Sequence, residues 1–78
     1  MEEVAIRDGS IRLGQFLKLA GLVESGADAK PVLQQGLVWV NGAVETRRGR
    51  RLGRGDVVEL GGRVARVAEE SAPDDLPW

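Results

Sequence analysis

A chain of 78 residues has room for one domain with one small core, burying roughly 60 to 65% of the surface that its unfolded form exposes. That leaves no depth for a catalytic cleft with its own supporting shell. Cysteine and histidine are both absent, which excludes disulfides, thiolate or imidazole metal sites and the usual neutral-pH general base. The formal charge of -1 conceals a segregation: residues 9 to 68 carry ten basic side chains against five acidic ones, net +5, and the other acids collect at the two ends. That asymmetry points to a polyanionic partner. No apolar run approaches the ~20 residues of a membrane span, and Met1-Glu2-Glu3 is acidic where a secretory signal is basic. The expectation is a soluble cytoplasmic protein.

Residues 2 to 7 alternate, with Val4 and Ile6 on one face, and read as a short edge strand. Asp8-Gly9 turns the chain, and Ser10 is suited to cap a first helix. In that helix Leu13, Phe16, Leu17 and Ala20 form one buried stripe, while Arg12, Gln15 and Lys18 face water or a ligand. Gly21 suits the left-handed residue that ends it. A second helix spans residues 25 to 35, with Ala29, Val32 and Leu33 inward, Lys30 and Gln34 on one outer face, and Gly36 as its stop. Pro31 leaves two starts open, one near Asp28 and one at Ser25-Gly26 with a bend at the proline.

The most informative stretch is Gly36-Leu37-Val38-Trp39-Val40-Asn41-Gly42-Ala43-Val44-Glu45-Thr46-Arg47-Arg48-Gly49-Arg50-Arg51. Asn41-Gly42 between two apolar runs signals a hairpin, because a type I′ turn needs positive φ at both central residues. Alternation sets Val38 and Val40 against Leu37 and Trp39. Core or edge packing is the favoured reading for the indole, with stacking on a nucleic-acid base as the alternative if the valines take the core. Four arginines in five residues, with Arg54 close behind, repel one another unless an anion sits among them. The loop therefore reads as a prepared phosphate contact in preference to an ordinary solvated turn. Gly55-Asp56 turns the chain into residues 57 to 60, and Gly61-Gly62 joins these to residues 63 to 67 as a second hairpin. From residue 69 onward the acids, prolines and small residues read as a flexible acidic tail. The fold expected over residues 1 to 68 is α+β, with a helix pair packed on a small twisted antiparallel sheet of four to five short strands.

Several of these pieces together resemble a known family. Arg12-Leu13 opens a helix, Leu17 and Ala20-Gly21-Leu22 follow, and then come Ser25 with Ala29-Lys30, the block from Gly36 to Gly42, and Gly55-Asp56-Val57-Val58-Glu59. This pattern resembles the S-four type RNA-binding domain, also called the α-L motif, over about residues 10 to 60. Glu45-Thr46-Arg47-Arg48-Gly49-Arg50 is also similar to a stand-alone bacterial subgroup. The resemblance implies that the two-helix α-L motif and the following hairpin present a basic surface to structured RNA, ribosomal or transfer RNA in particular. No cofactor and no metal are expected. By position, the RNA face comprises Arg12, Ser25, Lys30, Gln34 and the arginines Arg47, Arg48, Arg50 and Arg51, with Lys18, Asn41 and Arg54 as further candidates. Gly26 stands where the family often has arginine, which shifts weight onto the arginine loop.

The resulting expectation is a non-catalytic, monomeric RNA-binding protein, associated with the ribosome or delivering RNA to a modifying enzyme encoded elsewhere. Charge reversal at Arg47 and Arg50 is expected to weaken RNA binding without unfolding the domain, and the acidic tail to compete with RNA for the basic face. The rival reading, from another class, is a protein-interaction module whose basic loop docks on an acidic partner in a translation or ribosome-assembly complex.

Overall fold

The computed structural model describes residues 1–69. Strand β1 (Glu2–Ile6) leads to β2 (Ser10–Arg12), and helices α1 (Leu13–Leu19) and α2 (Gly26–Gln34) follow. Strands β3 (Val38–Val40), β4 (Ala43–Val44), β5 (Arg51–Gly53), β6 (Val57–Leu60) and β7 (Arg63–Glu69) complete the described chain. Five strands form one sheet in the order β1-β7-β6-β3-β4, and β2 pairs with β5 in a separate two-stranded ladder.

The α+β class and the helix pair match the expectation, but the sheet is mixed and not antiparallel throughout. Strand β1 lies parallel to β7, from Glu2 opposite Ala65 to Ile6 opposite Glu69. A parallel pair needs a long connection, and here nearly the whole domain supplies it. No local pattern encodes such a pairing. Glu69, read as the start of the tail, instead closes β7. The rest of the expected tail, residues 70–78, lies outside the described residues.

Both helices end as glycine placement predicts. Gly21 and Gly36 each have φ of 72°, and the flanking amides donate backwards in matching pairs. Leu22 donates to the Leu17 carbonyl at 2.9 Å and Gly21 to Lys18 at 3.0 Å; Leu37 donates to Val32 at 3.0 Å and Gly36 to Leu33 at 3.1 Å. Each pair satisfies carbonyls that a helix end leaves without partners. The beginnings differ from expectation for α1. Ser10 does not cap it but sits in β2 opposite Gly53, because pairing with β5 extends the chain as far as Arg12. Arg12 becomes the N-cap residue and makes no side-chain capping bond. Helix α2 takes the earlier of its two possible starts, with Ser25 at the N-cap and Pro31 inside the helix.

The buried core joins Leu13, Phe16 and Leu17 of α1 and Ala29 and Leu33 of α2 to Val38, Val40, Leu52, Val58, Ala65 and Val67 of the strands, with Ile6 of β1. Fully burying one large apolar side chain contributes about 1.5 to 3 kcal/mol. Helices of seven and nine residues are too short to persist alone, so this packing, and not propensity, holds them. Val38 and Val40 take the core side of β3, which turns Trp39 outward with 43% of its surface exposed. The indole is thereby left out of the core. No helix among the described residues is long and apolar enough to cross a membrane.

A Cβ added at Gly36 would meet only the Val44 Cγ1 at 3.7 Å, an ordinary contact. Gly36→Ala is therefore predicted to destabilise by about 1 to 2 kcal/mol through its left-handed backbone alone. Gly26→Ala, with open space around it and no positive φ, should be neutral or stabilising by up to about 1 kcal/mol. Urea denaturation of the two variants measures both, and equal effects would contradict this reading of the helix stop.

Candidate nucleic-acid interface

The anion that the arginine loop requires is already in the chain. Strand β4 leaves Val44 on the surface and turns Glu45 inward, only 7% exposed. Its Oε2 accepts the backbone amides of Thr46 and Arg47, both at 3.0 Å, and the Arg47 Nε at 3.2 Å. Its Oε1 accepts the Arg50 Nη1 at 3.0 Å, with the Arg47 Nη2 at 3.5 Å. The Arg47 side chain and amide, opposed by burial and aided by Arg50, pull the Glu45 carboxyl down from the ordinary 4.5 to about 2. The same contact raises Arg47 above the usual guanidinium value. Arg47 and Arg50 thus fasten the loop, and their reversal to glutamate would unseat it instead of leaving the fold untouched.

The fastened loop docks on α1 through its backbone. Leu13 donates to the Arg50 carbonyl at 2.8 Å and Gly14 to the Arg48 carbonyl at 3.0 Å, which serves first-turn amides that no capping side chain reaches. At Gly14 the approach is close enough that a Cβ would overlap the Cγ of Arg48. Only glycine lets the aliphatic stem of Arg48 lie across the helix there.

Two open grooves meet at Arg48. One, of about 480 Å³, is lined by Arg12, Gly14, Gln15, Lys18, Gly26, Arg48 and Gly49. The other, of about 250 Å³, is lined by Lys30, Leu33, Gln34, Thr46 and Arg48. Arg51 stands opposite Arg12 in the β2–β5 register. Among the described residues, Arg12, Lys18, Lys30, Arg48 and Arg51 make no ion pair. Cations from β2, α1, α2, the loop and β5 therefore gather around one seam with their charges unanswered. Ser25 lines neither groove; it is the N-cap of α2, next to Gly26 of the first groove, and its hydroxyl donates to the Asp28 Oδ2 at 3.1 Å.

Two candidates lie elsewhere in function. Both ends of the Asn41 amide are engaged, Nδ2 donating to the Asp56 Oδ1 at 3.0 Å and Oδ1 accepting the Val57 amide at 2.9 Å. Asn41 thus locks the hairpin, whose turn residues have φ of 52° and 83°. Burial favours the neutral form of Asp56, but the Gly53 amide at 2.8 Å, the Asn41 amide and the charge of Arg50 hold its carboxyl below the ordinary value. Arg54 reaches the Glu69 Oε1 at 3.8 Å, an exposed pair of little energetic weight. Sequence reasoning passed over Glu45 and Gly14. An inward register in β4 and a glycine inside an apolar helical stripe were the signals for them. No group of acids able to hold a metal ion occurs among the described residues.

Residues 4–68 match the family model of the S4 domain. The chain belongs to the S4 domain family. This S4 domain is 49% identical over 59 residues to the "Probable ribosome maturation protein RlbA" of Bacillus subtilis (strain 168), covering 76% of this chain and 83% of the relative. It is 42% identical over 57 residues to YbcJ of Escherichia coli (strain K12), covering 73% and 81%. Its fold matches the solution structure of Escherichia coli YbcJ with a TM-score of 0.67 and 36% identity over 87% of each chain, a structure described as revealing an α-L motif involved in RNA binding. It also matches the 30S ribosomal protein S4e of Thermoplasma acidophilum, with a TM-score of 0.58 and 28% identity over 76% of this chain and 31% of that longer one. The S4 domain match takes in the last three residues of β1 and most of β7, beyond the stretch in which the resemblance was read.

Because the folded value of Glu45 is depressed, its stabilising contribution is complete above pH 4.5 and is lost as the pH falls toward about 2. Glu45→Gln is predicted to destabilise the S4 domain at neutral pH by about 1 to 2 kcal/mol, a figure discounted for the exposure of Arg47. The gap between the two proteins should close over that acid window. Denaturation curves from pH 7 to pH 2 test this, and a constant gap would contradict it.

Proposed function

We propose that the protein is a non-catalytic RNA-binding module that holds the phosphate backbone of structured RNA in the seam around Arg48, acting in the cytoplasm as a monomer on ribosomal RNA. The observation that carries this reading is the convergence of Arg12, Lys18, Lys30, Arg48 and Arg51 without carboxylate partners. Guanidinium groups suit it, since their planar fork meets phosphate oxygens two at a time. Folded RNA is read mainly through shape and backbone, which open, shallow grooves can follow. The RNA-binding description of YbcJ and the ribosome-maturation name of RlbA support the same assignment. The match to the S4 domain model and the RNA-binding descriptions of YbcJ support recognition as the protein's role.

Engaging five phosphates implies that log K falls against log salt with a slope of about -4. Arg48→Glu is predicted to weaken binding to a ribosomal RNA fragment at least ten-fold with little change in melting temperature, and Arg48→Ala to reduce the salt slope by about 1. Filter binding across a salt series provides the measurement. Unchanged affinity in Arg48→Glu would contradict the proposal. Partners retained from lysate after nuclease treatment, with no RNA affinity, would favour an acidic protein ligand instead.

A further inference from the structure

The sheet face opposite the helices carries an apolar cluster that the cationic seam does not use. Trp39 is 43% exposed, Leu37 beside it 47%, and Val44, its direct cross-strand partner, 48%. On the other side of the indole, in register, stands Glu59 of β6. The ring is thus flanked by methyl groups on one edge and by a carboxylate on the other.

This cluster runs into the seam. Val44 is followed by the buried Glu45, whose amide donates to the Val38 carbonyl at 2.9 Å, so the chain here is fixed to β3. The next exposed residue, Thr46, lines the second groove with Lys30, Gln34 and Arg48. Two extended residues, about 7 Å of chain, separate the apolar cluster from the cations.

Three side chains, each less than half exposed, offer far less than the ~800 Å² per partner that a stable protein interface buries. Strand β4, with two residues, is also too short an edge to template pairing with a second copy. A single flat heterocycle needs no more than this. The Glu59 carboxylate repels phosphate, so the group brought over the ring is a base and not the backbone.

We propose that Trp39, flanked by Val44 and Leu37, is a stacking site for one unpaired base of the RNA whose backbone lies along the Arg48 seam. This rests on the RNA-binding reading and adds a ligand class to it: a helix interrupted by a bulged or flipped nucleotide. Each base face stacks on an aromatic ring with little regard to its identity, so the site selects for an unpaired position and not for a particular base.

The test compares a 12-base-pair RNA duplex with the same duplex bearing one bulged adenosine, using the full chain in a Trp78→Phe background so that Trp39 is the sole indole. The protein should favour the bulged RNA, and that RNA should quench the indole fluorescence. Trp39→Ala should lose about 5- to 150-fold in affinity for the bulged RNA, the range that a stacking contact supports, with little change for the paired duplex. Trp39→Phe should keep most of the preference. Equal affinity for the two RNAs, with Arg48→Glu still weakening both, would overturn the stacking site and leave the RNA reading standing. Failure to bind either RNA would overturn both. Concentration-dependent self-association that disappears in Trp39→Ala would assign the cluster to a second copy of the chain and overturn the base site.

Discussion

A single carboxylate organises the functional half of this molecule. Glu45 is buried, and an ionised group in that position is tolerated only when it is paired and hydrogen-bonded. Two backbone amides and two guanidiniums meet that requirement. The consequence reaches past the loop itself. With Arg47 and Arg50 turned onto Glu45, the carbonyls of residues 48 and 50 fall into place over the first turn of α1. Gly14 lets the Arg48 stem lie close against the helix. Two arginines hold the loop still so that Arg48 can stand at the junction of both grooves.

The arrangement around that junction is electrostatically unfavourable in isolation. Arg12 and Arg51 face each other across an antiparallel ladder, where like charges destabilise on the order of 0.2 to 1 kcal/mol. Lys18 and Arg48 line the same groove, and no ion pair relieves any of the four among the described residues. Other cations in the domain do find partners, as Arg63 does with Glu2 and the Gly21 carbonyl. Arg66 of β7 also lacks an ion pair among the described residues, but it stands apart from both grooves, whereas the seam sets several such cations side by side, in conflict with stability at one place. Such conflicts are expected where a ligand completes the site.

Features set by neighbouring residues were legible in the sequence. The Asn41-Gly42 turn, the glycine stops at 21 and 36 and the apolar stripe of α1 each follow from local conformation or helical spacing, and each is present. Features set by distant pairing were not. Ser10 is a good capping residue, but β5 claims it for a ladder 43 residues away, and β1 finds its partner only at the far end of the domain. The arginine loop shows both sides of this. Its charge density pointed to an anion among the guanidiniums, but the pattern could not say that Glu45 would hold two of them and leave the others open. Alternation likewise divided β3 into two faces, and only the packing of Val38 and Val40 against the helices decided that Trp39 faces outward.

The central claim is that segments far apart in sequence form one rigid cationic surface and that RNA occupies it. Amide chemical-shift mapping during titration with a ribosomal RNA fragment tests this most directly. The account predicts that the largest shifts cluster at Gly14, Gln15, Gly26 and Gly49 around one groove and at Gln34 and Thr46 around the other, with β1 and β7 little affected. Shifts confined to β1 and β7, with those six amides unmoved, would contradict it.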